Sequence, residues 1–258
     1  MAMKDTNKED KMLLASAEDK FRQAAGQYMM TNTGFLDLRQ RALVERQCRA
    51  LGKGQSEIRC QCFGGYEDAE RTIALFLPDY AQLEDAPLCI VRATVQSGGR
   101  KLTHRDYLGS LTGLGLKREM IGDILTREDG ADIIILEEIR EFLLYHYEKA
   151  GRTSLTLEAL PLSELKLPEV RTVLQKDTVA SLRLDNVIAS AFSMSRAKAA
   201  EAIRSGLVFV NSLQIEKTDA AVHEGDKLVL RKKGKAFLRE VGARTRKDRI
   251  FIVTERYL

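Results

Sequence analysis

Apolar positions at the start of the chain follow helical spacing. They recur near every third or fourth residue over 5–30, which predicts an amphipathic helix. The polar run Thr31–Gly34 breaks this pattern. Asp37 is placed to cap a second helix that continues through Leu51, with Gly52 just beyond its end.

The pattern then changes to that of strands. Polar and apolar residues alternate over Glu57–Phe63, as they do in a half-buried strand. A second apolar run covers Arg71–Leu77 and stops at Pro78, which cannot continue a hydrogen-bonded ladder. We therefore expect residues 1–80 to form an N-terminal α+β module.

The segment 81–160 gives a clearer order of elements. The predicted elements are strand Leu88–Val95, helix His104–Leu111, strands Met120–Thr126 and Ala131–Leu136, helix Glu137–Ala150 and strand Ser154–Leu157. Thr103 is expected to cap the first helix, and Gly151 to stop the second after a face made of Ile139, Phe142, Leu143 and Tyr147. The order β-α-β-β-α-β is typical of ferredoxin-like and RRM-like folds.

An RRM domain stacks RNA bases on aromatic residues that its sheet presents in a characteristic run. No such run occurs here, because the predicted strands consist mainly of Ile, Val and Leu. We therefore expect an RRM-like fold without the usual base-stacking surface.

The segment 161–180 contains Pro161 and Pro168 and is interpreted as a linker. After it, the pattern predicts a small compact domain over 181–258. Its expected elements are helix Leu182–Ala191, helix Arg196–Arg204 capped by Ser193 or Ser195 and ended by Gly206, strand Leu207–Val210, turns at Asn211–Ser212 and Gly225–Asp226, and strand Lys227–Arg231.

Composition and charge favour a nucleic-acid partner. The chain has 258 residues, 44% hydrophobic and 30% charged, and a net charge of only +4. Yet residues 227–249 contain ten Lys or Arg and only two acids, so this tract carries +8. No apolar run approaches the roughly 18 residues of a membrane span, and the charged start does not resemble a signal peptide. These features indicate a cytoplasmic protein with no membrane partner.

Side chains for metal or catalytic chemistry do not group together in the sequence. Cys60 and Cys62 lack the C-x-x-C spacing and a second ligand pair, so they are expected to be unpaired, reduced thiols on a strand. The three histidines lie in different predicted modules. The run His104–Asp106 lacks the partner motifs of a kinase, and the glycines near residue 113 lack a preceding strand. The sequence predicts no catalytic residues, metal or cofactor.

The start of the second C-terminal helix has features of a phosphate site. Ser195, Arg196 and Lys198 would direct a hydroxyl, free backbone N–H groups and cations at one phosphate.

The C-terminal residues resemble the αL RNA-binding domain of the ribosomal protein S-four type. The motifs that carry this resemblance are Arg183-Leu184-Asp185, Ser195-Arg196, Gly206, Val208-Phe209-Val210-Asn211 and Gly225-Asp226. Ser212 departs from the family, which has Gly there. Two further motifs, FGGYEDAERTIALFLPDY and THRDYLGSLTGLGLKREMIGDI, resemble the YlmH family of Gram-positive bacteria and relatives.

This resemblance implies an RRM-like middle domain, a C-terminal S-four domain with a basic extension, and α+β architecture throughout. It also implies a non-catalytic factor in ribosome-associated quality control, which binds ribosomal RNA and tRNA on large ribosomal subunits stalled with peptidyl-tRNA. We expect a monomer with no small-molecule substrate. The alternatives are an RNA-modifying enzyme, of the pseudouridine synthase or methyltransferase type, and a cell-division-associated scaffold.

The residues predicted to bind RNA come from the C-terminal domain and its basic extension. They are Arg183, Asp185, Ser195, Arg196, Lys198, Arg204, Asn211, Lys217, Arg231, Lys232, Lys233, Lys235, Arg244, Arg246, Lys247 and Arg249.

Overall fold

The computed structural model of the chain describes residues 8–51, 57–96, 99–167, 172–211 and 213–257. Its contacts form two compact units, Met1–Pro168 and Glu169–Leu258. Helices and strands are mixed in both units, so the predicted α+β class is confirmed.

The first unit begins with two helices packed on a small sheet. The elements are α1 (Lys8–Gln27), β1 (Thr31–Asn32), α2 (Leu38–Leu51), β2 (Arg59–Phe63) and β3 (Ile73–Leu77). Asp37 caps α2, since its carboxylate accepts from the Gln40 amide at 2.8 Å while the Gln40 side chain accepts from the Asp37 amide. Gly52, the expected stop, lies outside the described residues.

The segment Thr31–Gly34, predicted only as a break after α1, contains a short strand. Thr31–Asn32 forms β1 and pairs antiparallel with β3, which lies between β1 and β2. All five residues of β3 are buried, so its backbone groups need hydrogen-bond partners on both edges.

The rest of the first unit has the predicted β-α-β-β-α-β order. Its elements are β4 (Leu88–Val95), α3 (His104–Gly113), β5 (Ile121–Thr126), β6 (Gly130–Leu136), α4 (Arg140–His146), β7 (Lys149–Ala150) and β8 (Thr153–Leu160). The antiparallel sheet has the order β5-β6-β4-β8-β7, and four of its strands follow the ferredoxin-like arrangement. Thr103 caps α3 as expected, reciprocally with Asp106.

The second helix of the middle domain, α4, is shorter than predicted. A 3-10 turn covers Glu137–Ile139, and α4 ends at His146. Lys149–Ala150 pairs with β8 across a turn in which Gly151 has φ +62°, so these residues belong to a hairpin. Phe142, assigned to the buried face, is exposed, whereas Ile139, Leu143 and Tyr147 are buried as expected.

Both faces of the middle sheet are covered within the first unit. One face packs on α3 and α4 through residues that include Val91, Ile133 and Tyr107. On the other face, Leu88 and Ile134 pack in one cluster with Phe35, Ile73 and other residues of the first module. The face on which an RRM would stack bases is therefore occupied by the chain itself.

The second unit consists of two helices on one six-stranded antiparallel sheet. Its elements are β9 (Thr172–Val179), α5 (Leu184–Ala191), α6 (Arg196–Arg204), β10 (Val208–Val210), β11 (Leu213–Gln214), β12 (Lys227–Leu230), β13 (Gly234–Arg244) and β14 (Ile250–Tyr257). The order is β11-β10-β12-β13-β14-β9. Buried residues of both helices, such as Ile188 and Ile203, pack on Leu228, Leu238 and Ile252 of the sheet.

The segment interpreted as a linker contains a strand. Thr172–Val179 pairs with β14 along its whole length, from Thr172 opposite Tyr257 to Val179 opposite Ile250. Most of its residues are exposed because it is an edge strand, and this gave the segment the composition of a linker. The following helix starts at Leu184 rather than at Leu182.

The four cysteines are free thiols. Burial raises the pKa of Cys62 and of Cys89 to about 12, so both remain protonated near neutral pH. In the described ranges, no three His, Cys, Asp or Glu residues are grouped so that they could hold a metal ion. None of the helices described has the length and apolar character needed to cross a membrane.

Candidate nucleic-acid interface

A buried carboxylate organises two arginines at the start of α5. Asp185 is 4% exposed and lies in the first turn of the helix. It accepts hydrogen bonds from Arg183 at 3.2 Å and from the Nε and Nη2 atoms of Arg196 at 3.0 and 2.9 Å. Burial alone would raise the pKa of Asp185, but the hydrogen bonds and charges of the two arginines lower it. The carboxylate is therefore ionised and fixes both guanidinium groups.

Two further cations lie next to this pair. Ser195 is the N-cap of α6 and accepts from the Lys198 amide at 3.3 Å, which settles the choice between Ser193 and Ser195. The Asp185 amide donates to the carbonyl of Thr218 at 3.0 Å, so the loop that carries Lys217 lies over the start of α5. Lys198 and Lys217 are both exposed.

Asp185 itself is badly placed to contact RNA. It was among the predicted RNA-binding residues, yet it is buried beside two cations and carries the same charge as a phosphate. We interpret it as a residue that positions Arg183 and Arg196 rather than as an RNA contact.

Eight of the ten cations of the basic tract fall into two groups, one at each end of β13. One group lies at the β12–β13 turn and the other at the β13–β14 turn. β13 has eleven residues, and at about 3.3 Å per residue the two turns lie roughly 30 Å apart. The first group comprises Arg231, Lys232, Lys233 and Lys235, and the second comprises Arg244, Arg246, Lys247 and Arg249.

The β13–β14 turn lies at the same end of the unit as the two arginines. Arg249 donates through Nε to the Thr178 hydroxyl at 2.9 Å and also to the Thr178 carbonyl. Thr178 is near the end of β9, from which the chain continues directly to Arg183. We call this set of cations the helix-end cluster. It comprises Arg183, Arg196, Lys198, Lys217, Arg244, Arg246, Lys247 and Arg249.

The other turn lies at the far end of β14. Lys235 has its Nζ atom 4.5 Å from the ring centroid of Tyr257, the last residue of that strand. The Arg231 amide donates to the carbonyl of Leu207, close after the end of α6 at Arg204. We call this set the turn cluster. It comprises Arg204, Arg231, Lys232, Lys233 and Lys235. The cationic residues predicted to bind RNA therefore fall into two separate clusters.

Asn211 has a structural role in the sheet. It adopts φ +49°, and its side chain donates to Asp226 at 2.7 Å and accepts from the Lys227 amide at 2.9 Å. It therefore joins two turns at the end of β10 opposite to Arg231. Ser212, which departs from the S-four pattern, lies outside the described residues.

The sequence reasoning missed Thr178, which holds Arg249 in place. No local signal identifies it, because the pairing of β9 with β14 joins residues about 70 positions apart. In contrast, local capping patterns identified Gly206, which has φ +68°, and limited the cap of α6 to Ser193 or Ser195.

Two sequence comparisons point to one family, and a third comparison finds a solved structure of similar fold. A family model described as "Putative RNA-binding domain in YlmH" matches residues 84–164. The chain is 33% identical over 251 residues to "Ribosome-associated protein quality control protein P2" of Bacillus subtilis (strain 168), with 96% of each sequence covered. A solved structure, "Cell division protein ylmH from Streptococcus pneumoniae", is similar in fold with a TM-score of 0.51 and 24% identity, covering 65% of this chain and 100% of that one. Because the similarity to the Bacillus protein spans nearly the whole of both sequences, the chain belongs to the YlmH family.

Proposed function

We propose that this protein is a non-catalytic RNA-binding factor of the cytoplasm, which binds ribosomal RNA and tRNA on the large ribosomal subunit. It acts as a monomer in the quality control of stalled subunits that carry peptidyl-tRNA. The names of the Bacillus relative and of the matching family model support this role. The observation that carries the proposal is the pair of arginines held on the buried Asp185.

This arrangement suits the binding of phosphate groups. A guanidinium group donates two parallel hydrogen bonds, and holding it in place lowers the conformational entropy lost on binding. The N-terminus of α6 adds backbone N–H groups beside Arg196 and Lys198. Within the described residues Lys198, Arg246 and Lys247 form no ion pair, so their charges are available to RNA.

The subunit assignment is tested by sedimentation of the full-length protein with purified ribosomal subunits. We expect the protein to sediment with large subunits, more strongly when they carry peptidyl-tRNA, and to stay at the top of the gradient with small subunits. Equal binding to both subunits would contradict the assignment. Sedimentation with neither subunit would contradict the ribosomal role and favour the scaffold alternative.

The enzyme alternative is disfavoured by the position of the Arg183–Asp185 motif. A pseudouridine synthase needs a catalytic aspartate that can reach a base, whereas Asp185 is buried and held by two arginines. We expect incubation with ribosomal RNA and tRNA to give no pseudouridine and no methyl group, the latter also with a methyl donor present. Mass spectrometry of the RNA before and after incubation measures both, and stoichiometric modification would contradict the non-catalytic role.

A further inference from the structure

The middle domain cannot use its sheet for RNA in the way an RRM does. Among the described residues on the sheet face away from α3 and α4, Leu88, Ile134 and Leu136 are packed against the first module. Ile90 is also buried on this face, and the buried Asp132 is held by Arg92 and Arg127. If the region matched by the family model contacts RNA, it must do so elsewhere.

A cleft at the end of this sheet offers such a surface. It lies where Gln96, Gly99 and Arg100 meet the β7–β8 hairpin, and its volume is about 680 Å³. None of the described residues that line it is acidic. They include Gln96, Gly99, Arg100, Arg152, Thr153 and Ser154.

The backbone fixes the two arginines at the edge of this cleft. An added Cβ at Gly99 would come within 2.4 Å of the Val95 side chain and 2.8 Å of the Thr153 side chain, so the backbone at Gly99 lies directly against the end of β4 and the start of β8. Gly151 turns the hairpin with φ +62° immediately before Arg152. A residue larger than glycine would clash at position 99 and would be strained by the positive φ at position 151.

The charge of the cleft is positive. Arg152 is exposed and forms no ion pair within the part of the chain that is described. Arg100 is paired with Asp106 at 2.7 Å but is 60% exposed, so it retains free donors. Lys101 follows Arg100 in the chain and Lys149 pairs across the hairpin with Ser154, which adds two exposed cations beside the cleft. Cations, hydroxyl groups and a side-chain amide are the groups that contact the nucleic-acid backbone.

We propose that this cleft is a second RNA-binding site, in which Arg100 and Arg152 bind the phosphates of an RNA strand. The site rests on the RNA-binding role proposed above. It contacts the sugar–phosphate backbone and gives affinity without base specificity, because no exposed aromatic ring lines the cleft among the residues described.

The test is photo-cross-linking of the full-length protein to 4-thiouridine-labelled ribosomal RNA, with the cross-linked peptides identified by mass spectrometry. We expect cross-links in residues 149–157 and, separately, in the helix-end cluster. The double substitution Arg100→Ala and Arg152→Ala should remove the first set only. It should weaken RNA binding about tenfold at 0.1 M salt and flatten the salt dependence of log K by about 1.5 units, since each lost phosphate contact contributes roughly 0.7 to 0.9.

The matched control is Arg46→Ala on α2, which removes an exposed arginine of the same unit outside the cleft. It should leave cross-linking and affinity unchanged. Cross-links confined to the helix-end cluster, with the double variant binding like the parent, would overturn the second site while leaving the proposed function intact. If cross-links form neither in the cleft nor in the helix-end cluster, both the second site and the proposed function are overturned. Weaker binding to large subunits with unchanged binding to free RNA would show that the cleft binds protein, which also overturns the proposal.

Discussion

Arg196→Ala is expected to weaken binding to large ribosomal subunits or tRNA about tenfold and to flatten the salt dependence by about one unit. The substitution removes one cation from the helix-end cluster and one of the two arginines that neutralise Asp185. Binding measured by filter retention between 50 and 200 mM salt gives both quantities. If about five cations contact phosphates, the parent should lose roughly a hundredfold in affinity over that range.

The control for this substitution is Arg22→Ala in α1. Arg22 is also an exposed arginine, and it pairs with Glu18 at 2.6 Å. The Arg22→Ala variant therefore also loses one cation and one ion pair. We expect this variant to bind like the parent, because Arg22 lies in the first unit, outside the helix-end cluster, and loss of an exposed ion pair costs little stability. Damage by Arg22→Ala, or normal binding by Arg196→Ala, would place the RNA surface elsewhere.

The substitution Asp185→Asn distinguishes the effect of the net charge of the cluster on RNA binding from the effect of arginine orientation. The substitution makes the cluster more positive, so long-range attraction alone would strengthen RNA binding. It also removes the charge that holds Arg183 and Arg196 in place, and we therefore expect weaker binding with an unchanged salt slope. Tighter binding by this variant would show that orientation of the arginines is unimportant.

Asp132→Asn is expected to lower the free energy of unfolding of the first unit by about 3 kcal/mol, because a buried ion pair that loses one partner leaves charges uncompensated. Asp132 is fully buried. It accepts two hydrogen bonds from Arg92 at 2.8 Å, one from Arg127 and one from the Lys166 amide at 3.1 Å. Urea denaturation of the full-length protein measures the change.

Asp129→Asn is the matched control, since Asp129 also pairs with Arg127, at 2.9 Å, but is 66% exposed. It should cost less than about 1 kcal/mol. Equal losses for the two variants would contradict the role given to burial.

The effect of Asp132 should also depend on pH. Burial alone would raise the pKa of Asp132, but the Arg92 hydrogen bonds, the Lys166 amide and both arginine charges lower it. A carboxylate whose folded pKa is depressed stabilises the protein above its unfolded pKa of about 4 and loses this contribution as the pH falls through the folded value. The difference in free energy of unfolding between the parent and Asp132→Asn should therefore have its full value at neutral pH and decrease below about pH 4.

Local signals in the sequence were sufficient for most elements. Asp37 and Thr103 were identified as helix caps and Ser195 as one of two candidates, because a cap depends on residues within one turn of itself. The order of strands and helices in the middle domain was predicted for the same reason, since side-chain periodicity is a property of consecutive residues. The resemblance of separated motifs also identified the family.

Only the tertiary structure decided which distant residues meet. β9 becomes a strand by pairing with β14, and α4 ends early because Lys149–Ala150 pairs with β8. The buried position of Asp185 depends on Arg183 and Arg196 converging from two elements. The basic tract, continuous in sequence, is separated into two clusters by the length of β13. The sequence by itself therefore determined most of the helices, most strands of the middle sheet and the family, since these depend on neighbouring residues or on matching motifs. It did not predict β1, β9, β13 or β14. Three features depend on long-range contacts, which no local pattern encodes. They are the covering of the middle sheet by the first module, the holding of Arg183 and Arg196 by Asp185, and the separation of the basic tract into two clusters.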